Sequence, residues 1–357
     1  MLGVISQLFC LLHLIINYPQ NKKNMNHEQI TYKAFYVEEN DGKYIQSIKK
    51  LNISDLPKGN VLIRVYFSSL NYKDALSSTG NRGVTKHYPH TPGIDAAGIV
   101  VQSDNQQYKT GEKVIVTGND LGMNTPGGFG EFIRVPAEWI VKLPEGLTLK
   151  EAMIIGTAGF TAAISVNRLS ELVKPEDGKI IVTGATGGVG SVALNILSGL
   201  GYKTVAVSGK EGEYPYLQSL GADEIISRAD FQNMENKPIL SAKYAGGIDT
   251  VGGNILENIL KTLHPLGAVT TCCSVASTEL NMTVFPFILR GISLIGISAQ
   301  NYPMALRQKI WTKLAQDWKP QNLINLYTEI KLENLSQSIE RILRGQLRGR
   351  TIINLID

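Results

Sequence analysis

Ile180-Ile181-Val182-Thr183-Gly184-Ala185-Thr186-Gly187-Gly188-Val189-Gly190 decides the fold, together with Val192, Ile196 and Leu200, which recur every four residues just beyond it. A short apolar run, a bend of small residues and then apolar positions on one helical face mark a buried strand turning sharply into a helix. Ala185, Gly187 and Gly190 form A-x-G-x-x-G, a variant of the dinucleotide fingerprint. The first small residue permits the tight turn, Gly187 lets backbone approach a pyrophosphate, and Gly190 lets helix and strand pack closely. The unpaired amides at the helix start, at the positive end of its dipole, suit phosphate oxygens.

The next strand, Thr204 to Ser208, ends at Ser208-Gly209-Lys210, where an NAD-binding unit usually carries Asp or Glu for the ribose hydroxyls. A hydroxyl and a cation suit a 2'-phosphate instead, so NADPH is the expected cofactor. Glu211 stands against this reading, and a solvated loop lysine is the alternative for Lys210. Arg228, ending the following strand, is either a second phosphate partner or an exposed loop arginine.

Outward from this bend, strands and helices alternate from Lys179 to Ser298, which predicts a doubly wound parallel sheet. Upstream, Ala34 to Val141 reads as strands broken by Gly, Pro, Asn and Asp. Two apolar helical pieces, Glu151–Ile155 and Thr157–Leu169, separate the halves. The last stretch reads as helices and then a strand at Thr351–Leu355 that returns to the first unit, leaving a cleft between two domains. The predicted division is residues 1–25 as an extension or flexible tail, 26–150 as a β-rich catalytic domain completed by 300–357, and 151–299 as the nucleotide-binding domain.

Composition narrows the function. Of 357 residues, 35 Lys+Arg face 31 Asp+Glu, too small a basic excess for a nucleic-acid binder. The apolar run Leu8–Ile16 is too short to span a bilayer and has no basic residue before it, so neither a membrane anchor nor a signal peptide is expected. Three cysteines, Cys10, Cys272 and Cys273, cannot build a disulfide framework, and the adjacent pair reads as part of a buried strand; a reducing, cytoplasmic setting follows. They are also too few for a four-thiolate zinc lobe, and His87 and His90 read as surface histidines, so no metal is expected. No G-x-S-x-G elbow is present, leaving the chemistry to a hydride cofactor.

Asn71-Tyr72-Lys73-Asp74-Ala75-Leu76, Pro92-Gly93-Ile94-Asp95-Ala96-Ala97-Gly98, the Ala152–Ala162 run, Ile248-Asp249-Thr250-Val251-Gly252, Pro286–Gly291 and Gly349-Arg350-Thr351 accompany the glycine bend. On these motifs the chain resembles the medium-chain dehydrogenase/reductase superfamily, and within it the zinc-free YhdH/YhfP branch of quinone oxidoreductase-like proteins that includes acrylyl-CoA reductases. The resemblance covers nearly all of residues 30–357. It implies a GroES-like barrel domain, a Rossmann NADPH domain, a cleft between them, a homodimer and a small-molecule substrate. It places cofactor contacts at Tyr72, Thr186, Gly187, Gly188, Val189, Ser208, Gly209 and Lys210. Gly93-Ile94-Asp95 stands where zinc-dependent relatives carry Gly-His-Glu, so the histidine ligand is absent. Lys210 stands where the branch usually has Arg, which keeps the charge and loses bidentate geometry.

The expected reaction is hydride transfer from NADPH to the β-carbon of an alkene conjugated to a carbonyl, as in acryloyl-CoA or an enone, followed by protonation at the α-carbon. Alternatives are reduction of quinones, and a non-catalytic NADPH-binding sensor or crystallin-like protein. Tyr72 is the main catalytic candidate, touching the nicotinamide ribose or donating to the developing enolate; its rival role is packing the loop. Asn71 is a second candidate, and with Asp74 three residues on it also resembles a capping box, Asp74 being structural. Arg82 reaches a CoA phosphate or points to solvent. Arg344, Arg348 and Arg350 reach the cleft or keep a surface soluble.

Overall fold

A computed structural model describes residues 30–356; the expectations for residues 1–25 and for Cys10 lie outside them. β1 (Thr31–Asn40) and β2 (Lys43–Asn52) form an antiparallel hairpin. Its turn is Asp41-Gly42, both at positive φ, as the right-handed twist of the flanking strands demands. β3 (Val61–Leu70), β4 (Asp95–Ser103), β5 (Lys113–Thr117), β6 (Phe132–Val135) and β7 (Ile140–Lys142) make the antiparallel body of the first unit. Two helices matter here, α1 (Tyr72–Ser78) between β3 and β4, and α2 (Leu149–Ser170) after β7.

The second unit is a six-stranded sheet of β8 (Ile180–Thr183), β9 (Thr204–Ser208), β10 (Glu224–Ser227), β11 (Tyr244–Asp249), β12 (Leu263–Thr271) and β13 (Ser293–Gly296). Its order, β10-β9-β8-β11-β12-β13, is parallel throughout and reverses direction next to β8. In such sheets ligands bind beyond the carboxyl ends of the strands at that switch point. α3 (Gly188–Gly199) leaves β8 there. β8, β9 and β11 are buried along their whole length, as strands covered on both faces must be. β14 (Tyr327–Lys331) and β15 (Arg350–Asn354) then join the first sheet, β15 pairing antiparallel with β3.

α2 is two helices in sequence, as the two apolar pieces of the sequence suggest. Thr148 caps it with Glu151, each accepting the other's backbone N–H. Gly156 breaks it with φ 51° and ψ −161°. A Cβ at Gly156 would stand 2.5–2.6 Å from Ser69 Oγ, Arg350 Nη2 and Asp95 Oδ2. The break therefore makes room for a polar cluster between the units. α2 is long and apolar enough to cross a membrane, yet it lies mostly buried in the protein core.

Three expectations need correction. β12 ends at Thr271, so Cys272 and Cys273 lie beyond the strand and line the cleft instead of sitting inside the sheet. His90 is buried because its backbone bridges to Val37 of β1, while His87 is exposed. The last stretch carries a second strand, β14, besides its helices and β15; its mixed burial leaves no period-2 apolar alternation to announce it.

Candidate active site

The cleft between the two units has a volume of about 750 Å³ and opens over the carboxyl ends of β8, β11 and β12. The glycine bend forms one wall. Gly184, with φ 58°, turns the chain out of β8, and the amides of Gly188, Val189 and Gly190 find no acceptor among the described residues. A Cβ at Gly190 would lie 2.4 Å from the Gly184 carbonyl oxygen, whereas Gly187 is approached only by that same oxygen at 3.2 Å. Gly190 is thus a packing glycine and Gly187 an open one, the division of labour a pyrophosphate cradle requires. Thr183 Oγ1 donates to Asp249 Oδ1 at 2.8 Å, and Thr250 Oγ1 donates to the Thr183 carbonyl at 2.9 Å, so β8 and β11 are locked together at the switch point. The Gly349 amide donates to the Thr186 carbonyl at 2.9 Å, which ties the returning C-terminal segment to the bend.

A recess of about 230 Å³ adjoins the cleft at the tip of β9 and is lined by Thr186, Ser208, Gly209, Lys210, Arg228 and Arg344, among others. Ser208 Oγ accepts from the Lys210 amide at 3.0 Å. Lys210 Nζ donates to the Leu347 carbonyl at 2.7 Å and keeps further donors for a ligand. Burial lowers the Lys210 pKa; Glu213 opposes the shift and neighbouring Arg228 adds to it. Three cationic residues around one recess, Lys210, Arg228 and Arg344, call for an anion. Glu211 is exposed and lines neither space. The residues therefore fit a 2'-phosphorylated dinucleotide, with the glycine bend for the pyrophosphate and this recess for the extra phosphate.

At the other wall, Tyr72 opens α1 and is 41% exposed, its hydroxyl unpartnered among the described residues. Asn71 is buried and turned inward: its Nδ2 donates to Asp95 Oδ2 at 2.8 Å and its Oδ1 accepts from Arg350 at 3.2 Å. Asp74 supplies one half of the capping box, its Oδ2 accepting from the Asn71 amide at 2.8 Å while Oδ1 accepts from the Ile94 amide. Burial, and then the nearby Asp95 carboxylate, push Asp74 up to about 7 against those hydrogen bonds. Asp95 also accepts from Ser69 Oγ at 2.6 Å and from the Thr157 amide and hydroxyl.

Arg350 belongs to this cluster, not to the surface. It is 2% exposed, donates to the carbonyls of Ile154 and Leu70 and to Ser69 Oγ, and lies 3.6 Å from Asp95. Arg348 pairs with Glu213 at 3.0 Å, and Arg344 stands at the rim of the recess. Arg82 lies away from the cleft lining: its guanidinium pairs with Glu39 at 2.5 Å and covers the Tyr88 ring. Lys73, beside Tyr72, donates to Gln300 Oε1 at 2.7 Å, and both line the cleft. Residues missed from the sequence are Thr157, Gln300, Cys272 and Cys273; only Thr157 carried a signal, as the position after the helix-breaking Gly156. Among the described residues no group of three or more His, Cys, Asp or Glu is placed to hold a metal ion.

Residues 57–145 match the alcohol dehydrogenase GroES-like domain and residues 188–316 the zinc-binding dehydrogenase family. The acrylyl-CoA reductase AcuI of Ruegeria pomeroyi is 39% identical, over 89% of this chain and 97% of that protein. The structure of the yhdH oxidoreductase from Salmonella enterica in complex with NADP is 42% identical with a TM-score of 0.88, covering 91% of this chain and 100% of that one. That of Bacillus subtilis protein yhfP with NAD bound is 40% identical with a TM-score of 0.89, covering 91% and 100%. The chain belongs to the medium-chain dehydrogenase/reductase superfamily, in its YhdH/YhfP branch. It is an NAD(P)-dependent oxidoreductase of the acrylyl-CoA reductase and quinone oxidoreductase type.

Proposed function

We propose that the chain uses NADPH to reduce alkenes conjugated to a carbonyl, of the acryloyl-CoA thioester and enone class. The observation that supports it most is the charge of the cleft: among the described residues Lys73, Lys210, Arg228 and Arg350 line it, and no carboxylate does. An anionic cofactor at one end and an enolate-forming substrate at the other both match that field. When bound, NADPH supplies the hydride that adds at the β-carbon. Thr186, Gly187, Gly188 and Val189 hold the pyrophosphate, and Ser208, Gly209, Lys210 and Arg228 hold the 2'-phosphate. Tyr72 stands at the cleft wall with a free phenol, able to donate toward the carbonyl oxygen where negative charge collects. Asn71 acts through Arg350 and Asp95, fixing the start of α1 and so the place of Tyr72. Arg82 has no part in this reading, because Glu39 already neutralises it.

The reading also divides the chain at residues 26–150 with 300–357 against 151–299, supported by the way β15 pairs with β3. It includes a homodimer: β13 is an edge strand, and Val284, Phe285, Ile288 and Leu289 beside it are exposed.

NADPH oxidation against acryloyl-CoA, simple enones and quinones tests this, with Tyr72→Phe alongside. Turnover fastest with the thioester or enone, and slowed at least about tenfold by loss of one donated hydrogen bond, is expected. Faster turnover with quinones would replace the alkene by a quinone as substrate. Full activity in Tyr72→Phe would remove Tyr72 from the mechanism.

A further inference from the structure

The cleft contains two thiols for which alkene reduction has no use. Cys272 and Cys273 follow β12 directly, at the carboxyl edge of the parallel sheet, and line the cleft close to Val251 and Ala276. Their sulfurs lie 3.7 Å apart, and Cys272 Sγ is 3.6 Å from the Asp249 carbonyl oxygen. The Asp249 carboxylate is turned away, held by Thr183, Thr271 and the amides of Val251 and Gly252. Among the described residues, the charged side chains that share the cleft with the pair are all cations. The contact with Cys272 draws the Cys273 thiol below its ordinary pKa against burial and the Asp249 carboxylate, while the same contact and burial push Cys272 well up. The Cys272 S–H has the Asp249 carbonyl as an acceptor, and Cys273 is, among the described residues, the sulfur left without one, open to the cleft and so the better placed to react as a nucleophile.

We propose that Cys273 is a covalent modification site for electron-poor alkenes that enter the cleft, with Cys272, whose sulfur lies against it, as the positioning residue. The sulfur lone pair forms a C–S bond to the β-carbon while the alkene π bond breaks. The displaced electron pair resides on the α-carbon and carbonyl oxygen until the α-carbon takes up a proton, equivalent to the one Cys273 released. The net change adds S–H across the double bond and needs no oxidant or reductant. The thioether occupies the cleft beside the glycine bend, so a modified chain is closed to its cofactor. Only the identity of the natural electrophile rests on the function proposed above; the reactivity of the thiol pair does not.

Acrylamide is the probe, with the full chain at pH 7, followed by intact mass and peptide mapping. The expected result among the described cysteines is one adduct carrying the full mass of the alkene, on Cys273, forming at least about tenfold faster than on Cys272 and about tenfold slower in Cys272→Ala. Labelling of Cys272 before Cys273, or an unchanged rate in Cys272→Ala, would overturn the proposal. Should that variant fail to fold, the order of labelling in the unaltered chain still decides. NADP+ shown by titration to be bound should slow labelling at least about fivefold; undiminished labelling of that complex would also overturn it. Loss of all alkene reduction with Cys273 labelling intact would count against the proposed function and leave this inference standing.

Discussion

Replacing Arg350 by Ala tests the cluster that joins the two units. The guanidinium stands 3.6 Å from Asp95 in a site where both side chains are almost fully buried. At an effective dielectric of about 20 that separation corresponds to an attraction of about 4–5 kcal/mol. Removing one partner of such a pair leaves a buried carboxylate and costs about 3–5 kcal/mol. Asp95 keeps its bonds from Ser69, Asn71 and Thr157, which holds the figure within that range, while Ile154, Leu70 and Ser69 each lose a donor. Urea denaturation at pH 7 should show Arg350→Ala destabilised by about 3–5 kcal/mol. Asp95→Asn should then cost about 1–3 kcal/mol less in the Arg350→Ala background than alone, because the two groups share one interaction. A loss below about 1 kcal/mol, or strict additivity of the two changes, would refute the reasoning.

Lys210→Ala should weaken NADPH by about 10- to 100-fold, the worth of a charge-assisted hydrogen bond, and leave NADH within about threefold; equal losses in a fluorescence titration would end the phosphate role. Gly190→Ala places a Cβ 2.4 Å from the Gly184 carbonyl oxygen, so the bend must shift; cofactor affinity should fall about tenfold or more, and unchanged affinity would contradict the packing role. Asp74 is held at about 7 against a usual 3.8, so the folded chain binds its proton more tightly than the unfolded one. Its contribution is fully present below about pH 4 and is lost as pH rises through about 7, amounting to about 4 kcal/mol for a shift of roughly three units. Asp74→Asn should cost about 1–3 kcal/mol near pH 4, since one backbone amide loses its acceptor, and flatten that decline. An identical pH slope in the variant would show that Asp74 does not titrate there.

The bend at Thr183–Gly190 was legible because each residue answers a local demand, a turn, an open approach or a close packing, that no distant contact is needed to state. The break at Gly156 was legible for the same reason. The Asp95–Arg350 cluster was not: its members come from β3, β4, α2 and β15, some 280 residues apart, and only the return of β15 to β3 brings them together. For Arg350 the sequence left the cleft and the surface both open, because burial of a charge is invisible without its partner; it reaches the cleft. Cys272 and Cys273 were misplaced by one strand end, since apolar runs do not mark where a ladder stops. Arg82 looked available because Glu39, 43 residues earlier, lies on the β1–β2 hairpin, a contact that local sequence does not announce.

The central claim is delivery of a hydride to an alkene held in this cleft. NADPH deuterated at the transferring C4 position, incubated with acryloyl-CoA and the protein, should give a saturated thioester whose deuterium lies at the β-carbon by NMR, with a solvent proton at the α-carbon. A saturated thioester with no deuterium at the β-carbon, or no saturated thioester at all while NADPH is shown to be bound, would contradict it.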